Sequence, residues 1–406
     1  MVPEGWTASS LGECVSFKSG GTPSKKNPDF WGGEIPWVSA KDLKTHLISD
    51  AIDHLTKEGA AKAKMASPSD ILMLVRGMTL LKDVPIGFVT KPVAFNQDLK
   101  ALVPAQDIDP LFMSYLLVAK KLVLMGLVNT ANHGTGRLDT DLLKSLPLDI
   151  PPLPEQRKIA DILSTWDEAI EKTEALLTNA RIQKRALMQQ LLTGKRRFPE
   201  FEGLSWQEVR LGELCDIRRG ASPRPIKDTK WFAEEGRGWV RISDVTASET
   251  VQLTKTTQYL SPEGVAKSVP VEPGELIMSI CATIGVPRII GIPVCIHDGF
   301  VVFRKTEGRI NREFLYHFIE LVTERLKNSG QPGTQKNLNT TIVGNIQVPR
   351  ITLAEQSQIA SVLDEADSFI SETRRDITKL RAEKKALMQQ LLTGKRRVKV
   401  EDGYGI

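Results

Sequence analysis

The chain has 406 residues, 41% apolar and 25% charged, enough for two or more domains that each bury a core, and it contains no low-complexity tract. No run of 18 apolar residues reads as a membrane span, and the N-terminus MVPEGWTASS lacks the apolar segment of a signal peptide. The net charge of +5 sits in two stretches, nine basic against six acidic residues over 155–197 and nine against seven over 355–397. The remainder is neutral in sum, so any face for nucleic acid has to be local.

Taken in order, residues 1–151 read as a first globular domain of mixed character. Short β-type runs at 71–75 and 85–89 are separated by Gly and Pro turns, and a helical pattern fills 110–125. The proline-rich segment 147–154 reads as a stiff entry into a long helix over 152–197. Residues 197–206 then form a linker into a second globular domain, 198–351, with β-type runs at 276–280 and 289–295 and a helical pattern over 311–327. A second stiff entry, 349–353, leads to a second long helix over 352–397, and 398–406 is a tail.

The two long segments are copies. Residues 153–197 and 353–397 agree at 24 of 45 positions, and 186–197 and 386–397 both read ALMQQLLTGKRR. Such self-similarity at a fixed offset marks a duplicated unit. Apolar residues recur every 3.5 positions as Ile159, Leu163, Trp166, Ile170, Leu177, Leu187 and Leu191, and again as Ile359, Leu363, Ile370, Ile377, Leu387 and Leu391. Thr173 and Lys184 interrupt the first stripe where Thr373 and Lys384 interrupt the second. This is the seam of a coiled coil in which the copies pack on each other. Pro154 suits a first helical turn, and Gly194 and Gly394 suit left-handed residues just past a helix end. On this reading Leu187→Asp with Leu387→Asp opens the seam while each globular domain stays folded.

The duplication extends into the globular parts. Trp6, Leu11, Gly12, Gly20 and Pro23 recur as Trp206, Leu211, Gly212, Gly220 and Pro223, and Asp98 recurs as Asp298. PWVSAKDL (36–43) is echoed by GWVRISDV (238–245). The heads have diverged far more than the helices, which implies two different targets presented from one symmetric frame.

Catalytic motifs fail on inspection. Asn27-Pro28-Asp29-Phe30 has Asp29 where an amino-methyltransferase motif needs a second proline, and no Gly-rich loop follows a strand; a turn is the plainer reading. Thr193-Gly194-Lys195 ends in Arg196 and sits at a helix C-terminus, unlike a phosphate-binding loop. The five histidines lack metal-ligand spacing, and no nucleophile elbow is present. Cys14, Cys215, Cys281 and Cys295 form neither a CxxC pair nor a disulfide framework, which fits a reducing cytoplasm.

Binding loops are better candidates. Lys18, Ser19, Thr22, Ser24, Lys25 and Lys26 in the first head match Arg218, Arg219, Ser222 and Arg224 in the second. Ser39 and Lys41 match Arg241 and Ser243, each pair just after a Trp-Val. Arg76, His133, Thr135 and Arg137 complete the first set, and Gln331, Thr334, Gln335, Lys336 and Asn337 the second. Arg and Lys suit guanine edges, Asn and Gln adenine, and Ser and Thr phosphate.

PLPEQRKIADIL (152–163), LAEQSQIASVL (353–363), the twin ALMQQLLTGKRR ends, KSGGTPSKKNPDFWGGEIPWVSAKDL (18–43) and FNQDLKAL (95–102) together resemble the specificity subunit of Type I restriction–modification systems. The resemblance implies an α+β chain with two target recognition domains, related by a pseudo-twofold and joined by two long antiparallel helices forming a coiled coil. It implies a non-catalytic, cytoplasmic DNA-binding subunit that binds no cofactor itself. Each domain would read one half of a bipartite asymmetric site, with the helices setting the spacer. Two methyltransferase subunits would dock and carry S-adenosylmethionine, and motor–nuclease subunits would join the full complex. CIHDGF (295–300) departs from the pattern, lacking the Asn-Gln-Asp of residues 96–98. The rival readings are a two-headed adaptor between proteins and a self-sufficient methyltransferase.

Overall fold

The computed structural model describes residues 2–130, 134–248, 250–328 and 338–399. Two helices of 39 residues, α1 (Leu153–Leu191) and α2 (Leu353–Leu391), are each about 58 Å long at 1.5 Å per residue. The chain divides into two compact units, Met1–Glu171 with Thr378–Ile406, and Lys172–Ile377. Each unit therefore holds one head, the near part of the helix that follows it, and the far part of the other.

The first head is built on a five-stranded sheet in the order Val15–Ser19, Leu99–Pro104, Ile71–Leu74, Ile86–Val89, Leu47–Ile48. Only the last pair is parallel. All four residues of Ile71–Leu74 are buried, as a central strand covered on both faces requires. A second sheet runs Asp53–Leu55, Trp31–Val38, Val93–Phe95, Lys64–Ala66. The second head repeats this plan. Its five-stranded sheet is Asp216–Arg219, Phe300–Arg304, Leu276–Ser279, Pro287–Ile290, Gln252–Leu253, again parallel only at the last pair. Divergent sequences thus preserve strand order and direction.

Three expectations change in the structure. The run 289–295 is two strands in different sheets, Pro287–Ile290 and Val294–Ile296, because Pro293 lacks the N–H that would carry the ladder on. The pattern over 110–125 is two helices, Pro110–Ala119 and Lys121–Gly126, broken at Lys120 where ψ is 8°. The stiff entries are strands: Pro147–Ile150 pairs with Thr7–Ser10, and Gln347–Arg350 with Gln207–Arg210. The linker 197–206 is ordered. It contains a 3-10 turn, Pro199–Phe201, and folds back on the end of α1.

The helix ends explain what the copies hold in common. In the first unit Glu155, on the first turn of α1, is 3% exposed and receives Arg397 Nε and Nη2 at 2.7 and 2.8 Å, and Trp6 Nε1–H at 3.2 Å. In the second, Glu355 is fully buried and receives Arg197 Nε and Nη2 at 2.8 and 2.7 Å. Each arginine also lies over the tryptophan beside it, Trp6 or Trp206. The neighbouring glutamines close the adjacent turn: Gln156 accepts the Asp109 N–H, and Gln356 that of Asn311, both at 2.7 Å. Gly194 and Gly394 take φ of 68° and 65°, letting Arg196 and Arg396 donate backward to Gln190 and Gln390 in a left-handed C-cap. Within each unit the start of one helix lies beside the end of the other, so the segments run antiparallel.

The apolar stripe divides by position. Ile159, Leu163 and Leu391 join the core of the first head, and Leu191, Ile359 and Leu363 that of the second. Leu177, Ala180, Ile370 and Ile377 form a separate cluster made by the helices alone. Trp166 and Ile170 are half-buried. Leu187 and Leu387 pack against the head cores. The substitution pair Leu187→Asp with Leu387→Asp therefore strikes the heads as well, correcting the expectation that they would stay folded.

Candidate nucleic-acid interface

In the first head, segment 18–26 crosses over the turn at 96–98. Gly20 is required there, since a Cβ would lie 1.9 Å from the Asn96 carbonyl oxygen. Gly21 N–H donates to the Phe95 carbonyl at 2.9 Å, and the Thr22 hydroxyl donates to Gln97 Oε1. Trp37 Nε1–H reaches the Gly21 carbonyl and Trp31 Nε1–H that of Ser24, each at 3.2 Å. The two indoles meet edge-to-face at 5.1 Å, and the Lys25 ammonium lies 5.7 and 5.4 Å from their ring centres. This holds an exposed lysine in place without neutralising it. Lys18 lies 3.8 Å from Asp70, Ser19 Oγ accepts Lys100 Nζ at 2.7 Å, and Ser24 and Lys26 are exposed. Ser39 donates to Asp42 through both N–H and hydroxyl, while Lys41 is exposed.

The 27–30 segment is a 3-10 turn capped by Asn27, whose side chain accepts the Asp29 N–H. Asp228 does the same ahead of Trp231.

The second head builds its loop on a carboxylate. Gly220 crosses as Gly20 does, with a Cβ position 2.1 Å from the His297 carbonyl oxygen. The Asp298 carboxylate accepts the Ser222 hydroxyl and lies 3.4 Å from Arg224, and the Asp298 carbonyl accepts Arg219 Nε at 2.8 Å. Ser222 most of all holds the Asp298 carboxyl below its usual range. At the departure from the family pattern, His297 Nδ1 accepts the Gly299 N–H at 2.9 Å. Burial first, then the charge of Arg241, pushes that imidazole down. Arg218, Arg241 and Ser243 are exposed, and the Arg241 N–H donates to Asp244 at 2.8 Å.

Arg76 and Arg137 come together, as directly opposite residues of two short strands, Arg76–Gly77 and Gly136–Leu138. Thr135 is half-buried just before the second. Asn129, on Val128–Thr130, lies directly opposite Arg137 on its other side. Sequence reading missed Asn129 because its strand has only three residues and no alternating pattern. His133, Gln331, Thr334, Gln335, Lys336 and Asn337 lie outside the described residues.

Each unit gathers a polar cluster at the place where a lysine interrupts the helix stripe, buried at Lys184 and half-buried at Lys384. In the second, Lys184 Nζ is 2.8 Å from Glu320 and 2.7 Å from Asp367, and His317 Nε2 is 2.9 Å from Asp364. Ligand atoms of His317, Glu320 and Asp367 fall within 4.8 Å of one another, which would suit a metal, but the lysine ammonium already stands between the carboxylates. Burial raises Glu320, yet His317 and Lys184 outweigh it and its carboxyl ends at about 2. In the first unit Lys384 pairs with Asp167, which also accepts the Tyr115 hydroxyl at 2.6 Å. Burial of Asp167 is likewise outweighed by His46, Lys384 and Tyr115, leaving its carboxyl at about 2.

The family described as Type I restriction modification DNA specificity domain matches twice, over residues 3–179 and 204–381. The chain belongs to that family. It is 24% identical over 418 residues to the Type I restriction enzyme MjaVIII specificity subunit of Methanocaldococcus jannaschii, covering 98% of this chain and 94% of that protein. The Escherichia coli EcoR124I/EcoR124II specificity subunit is 29% identical over 160 residues, 39% of this chain and 40% of that one. The fold matches the S subunit of a Type I restriction–modification system from M. genitalium, with TM-score 0.61 and 16% identity over 96% of this chain and 99% of that one. A second solved structure, from work on complex assembly and conformational transition of the type I R-M system, gives TM-score 0.61 at 20% identity over 98% of this chain. The chain is thus a DNA-specificity subunit, a non-catalytic member of a restriction–modification complex. Among the described residues no helix is long and apolar enough to cross a membrane.

Proposed function

We propose that the two heads, residues 1–151 and 198–351, each read one half of a bipartite asymmetric duplex site. Helices 152–197 and 352–397 set the spacer and dock two methyltransferase subunits that carry S-adenosylmethionine, with motor–nuclease subunits joining in the cytoplasm; 398–406 remains a tail. One observation carries this reading. The helix ends and their partners are the same in both units, while the exposed loops at matching places are chemically different. A common frame with unlike readers suits an asymmetric site whose half-sites stand a fixed distance apart, because half-site spacing follows from how a symmetric binder is built. Leu176, Ile182 and Phe369, apolar residues left exposed on the helices, support docking of partner subunits there.

On this reading the DNA contacts come from Lys18, Ser19, Thr22, Ser24, Lys25, Lys26, Ser39, Lys41, Arg76, Thr135 and Arg137 in one head. In the other they come from Arg218, Arg219, Ser222, Arg224, Arg241 and Ser243. The test is duplex binding by the chain with its methyltransferase partners, over a series of spacer lengths. One length should bind tightly, and adding or removing one or two base pairs should lower affinity at least about tenfold, the effect of losing roughly 1.4 kcal/mol. Equal binding at all spacings overturns it.

A further inference from the structure

Arg76, Arg137 and Asn129 stand directly opposite one another across three adjacent antiparallel strands, Arg76–Gly77, Gly136–Leu138 and Val128–Thr130. Directly opposed residues point to the same face, so the three side chains form one row, and all three are exposed. Among the described residues neither arginine has a carboxylate within salt-bridge distance, whereas Arg224, Arg237 and Arg304 do. Like charges facing each other across a ladder are destabilising. Two unpaired arginines held directly opposite each other leave their guanidinium groups open to something anionic or electron-rich lying across them.

The row is firmly seated. Leu138 is 3% exposed and its N–H donates to the Val75 carbonyl at 2.9 Å, so the opposite face packs into the head core. The Asp98 carbonyl accepts the N–H groups of Val75 and Arg76 at 2.9 and 3.3 Å. Asp98 belongs to the same turn that Thr22 grips through Gln97, so the row continues the loop cluster of the first head. Strands about 4.8 Å apart place three side chains over roughly 10 Å, about three base-pair steps at 3.4 Å each. A β-ribbon fits the major groove, where a guanidinium fork matches guanine O6 and N7 and an asparagine amide matches adenine N6 and N7.

We propose that this row is the base-reading element of the first head, with Arg76 and Arg137 reading guanines and Asn129 an adenine next to them. The proposal rests on the bipartite-site reading above. The test selects bound duplexes from a randomised library with the intact complex, for the wild type and for Arg76→Lys, Arg137→Lys and Asn129→Ala. A bipartite wild-type motif establishes the parent reading; without one that reading fails. Given the motif, Arg→Lys keeps the charge but loses the fork. Each lysine variant should lose roughly 5- to 150-fold discrimination at one guanine of one half-site, with the other half unchanged. Asn129→Ala should relax an adjacent adenine in the same half.

An unchanged motif in the lysine variants, bound with the wild-type salt dependence, would mean phosphate contacts, which lysine also makes, and overturn the proposal. So would a wild-type half-site without guanine. The thermal midpoint serves as control, because replacing either exposed, unpaired arginine by lysine keeps the charge and should leave it unchanged. A lowered midpoint would show a structural role and count against base reading.

Discussion

The two helix-end junctions and the two loop clusters sit at equivalent places in a duplicated chain, yet one pair has stayed alike and the other has not. At the junctions, Glu155 with Arg397 and Glu355 with Arg197 keep the same atoms at nearly the same distances. In the loops, Thr22 bonds the Gln97 amide in one head, whereas Ser222 bonds the Asp298 carboxylate in the other. Burial accounts for the difference. A buried carboxylate must keep its cation, so neither partner can change alone. An exposed loop needs only its backbone crossing, which Gly20 and Gly220 maintain, and its side chains are left free to follow the ligand.

Breaking the buried lysine cluster should have the largest effect. Lys184→Ala leaves Glu320 and Asp367 facing each other with only His317 beside them, and should cost about 3 kcal/mol in urea unfolding of the second unit. Lys184→Met, which fills the space, is expected to recover little, because the carboxylates remain. A loss under about 1 kcal/mol would mean the cluster is hydrated and no part of the frame.

Next come the junctions, where the two copies can be set against each other. Glu355→Ala should cost about 3 kcal/mol, since the Arg197 side chain it abandons is only 12% exposed. Glu155→Ala should cost less, because Arg397 is 43% exposed and water replaces part of the pair. Equal losses would show that the junctions do not differ in solvation as their exposures indicate. In the middle of the helices, Leu177→Asp with Ile377→Asp buries charge in a cluster that no head shares. It should remove spacer discrimination in duplex binding while both heads keep their near-ultraviolet spectra.

Loop substitutions should have smaller effects on stability and a different readout. Ser222→Ala removes one hydrogen bond to Asp298 and should cost about 1 kcal/mol. Binding to one half-site should weaken, with the other half-site unaffected. Loss at both halves would deny that the heads read separately.

How much of this was legible in the sequence follows the same division. The helix stripe, the left-handed Gly194 and Gly394, and the paired glycines of the loops all have local causes, and each could be read from spacing. The identity of Glu155 and Gln156 with Glu355 and Gln356 was visible, but their role was not. Their partners lie as far as 242 residues away, and nothing local announces a buried acid on a first helical turn. Lys184 and Lys384 registered only as interruptions of the stripe, because their carboxylates sit on other elements. The three-strand row containing Asn129 stayed hidden because its strands have two or three residues each, too short for a period to register.

The smallest effect separates frame from loop by pH. Burial alone would push His317 down, but Asp364 and Glu320 hold it above its ordinary value. A histidine raised in the folded state contributes stability that is fully present below its unfolded pKa of about 6.5, and loses it as pH climbs through the folded value. His297 is lowered, first by burial and then by Arg241, so its contribution is present above about 6.5 and is lost as pH falls toward its folded value. The two histidines therefore tilt the stability profile in opposite directions. In urea unfolding between pH 5 and 8, His317→Gln should flatten the alkaline side of the profile for the second unit and His297→Gln the acid side. If both variants changed the same side, the frame and the loop would not hold their histidines in opposite electrostatic environments.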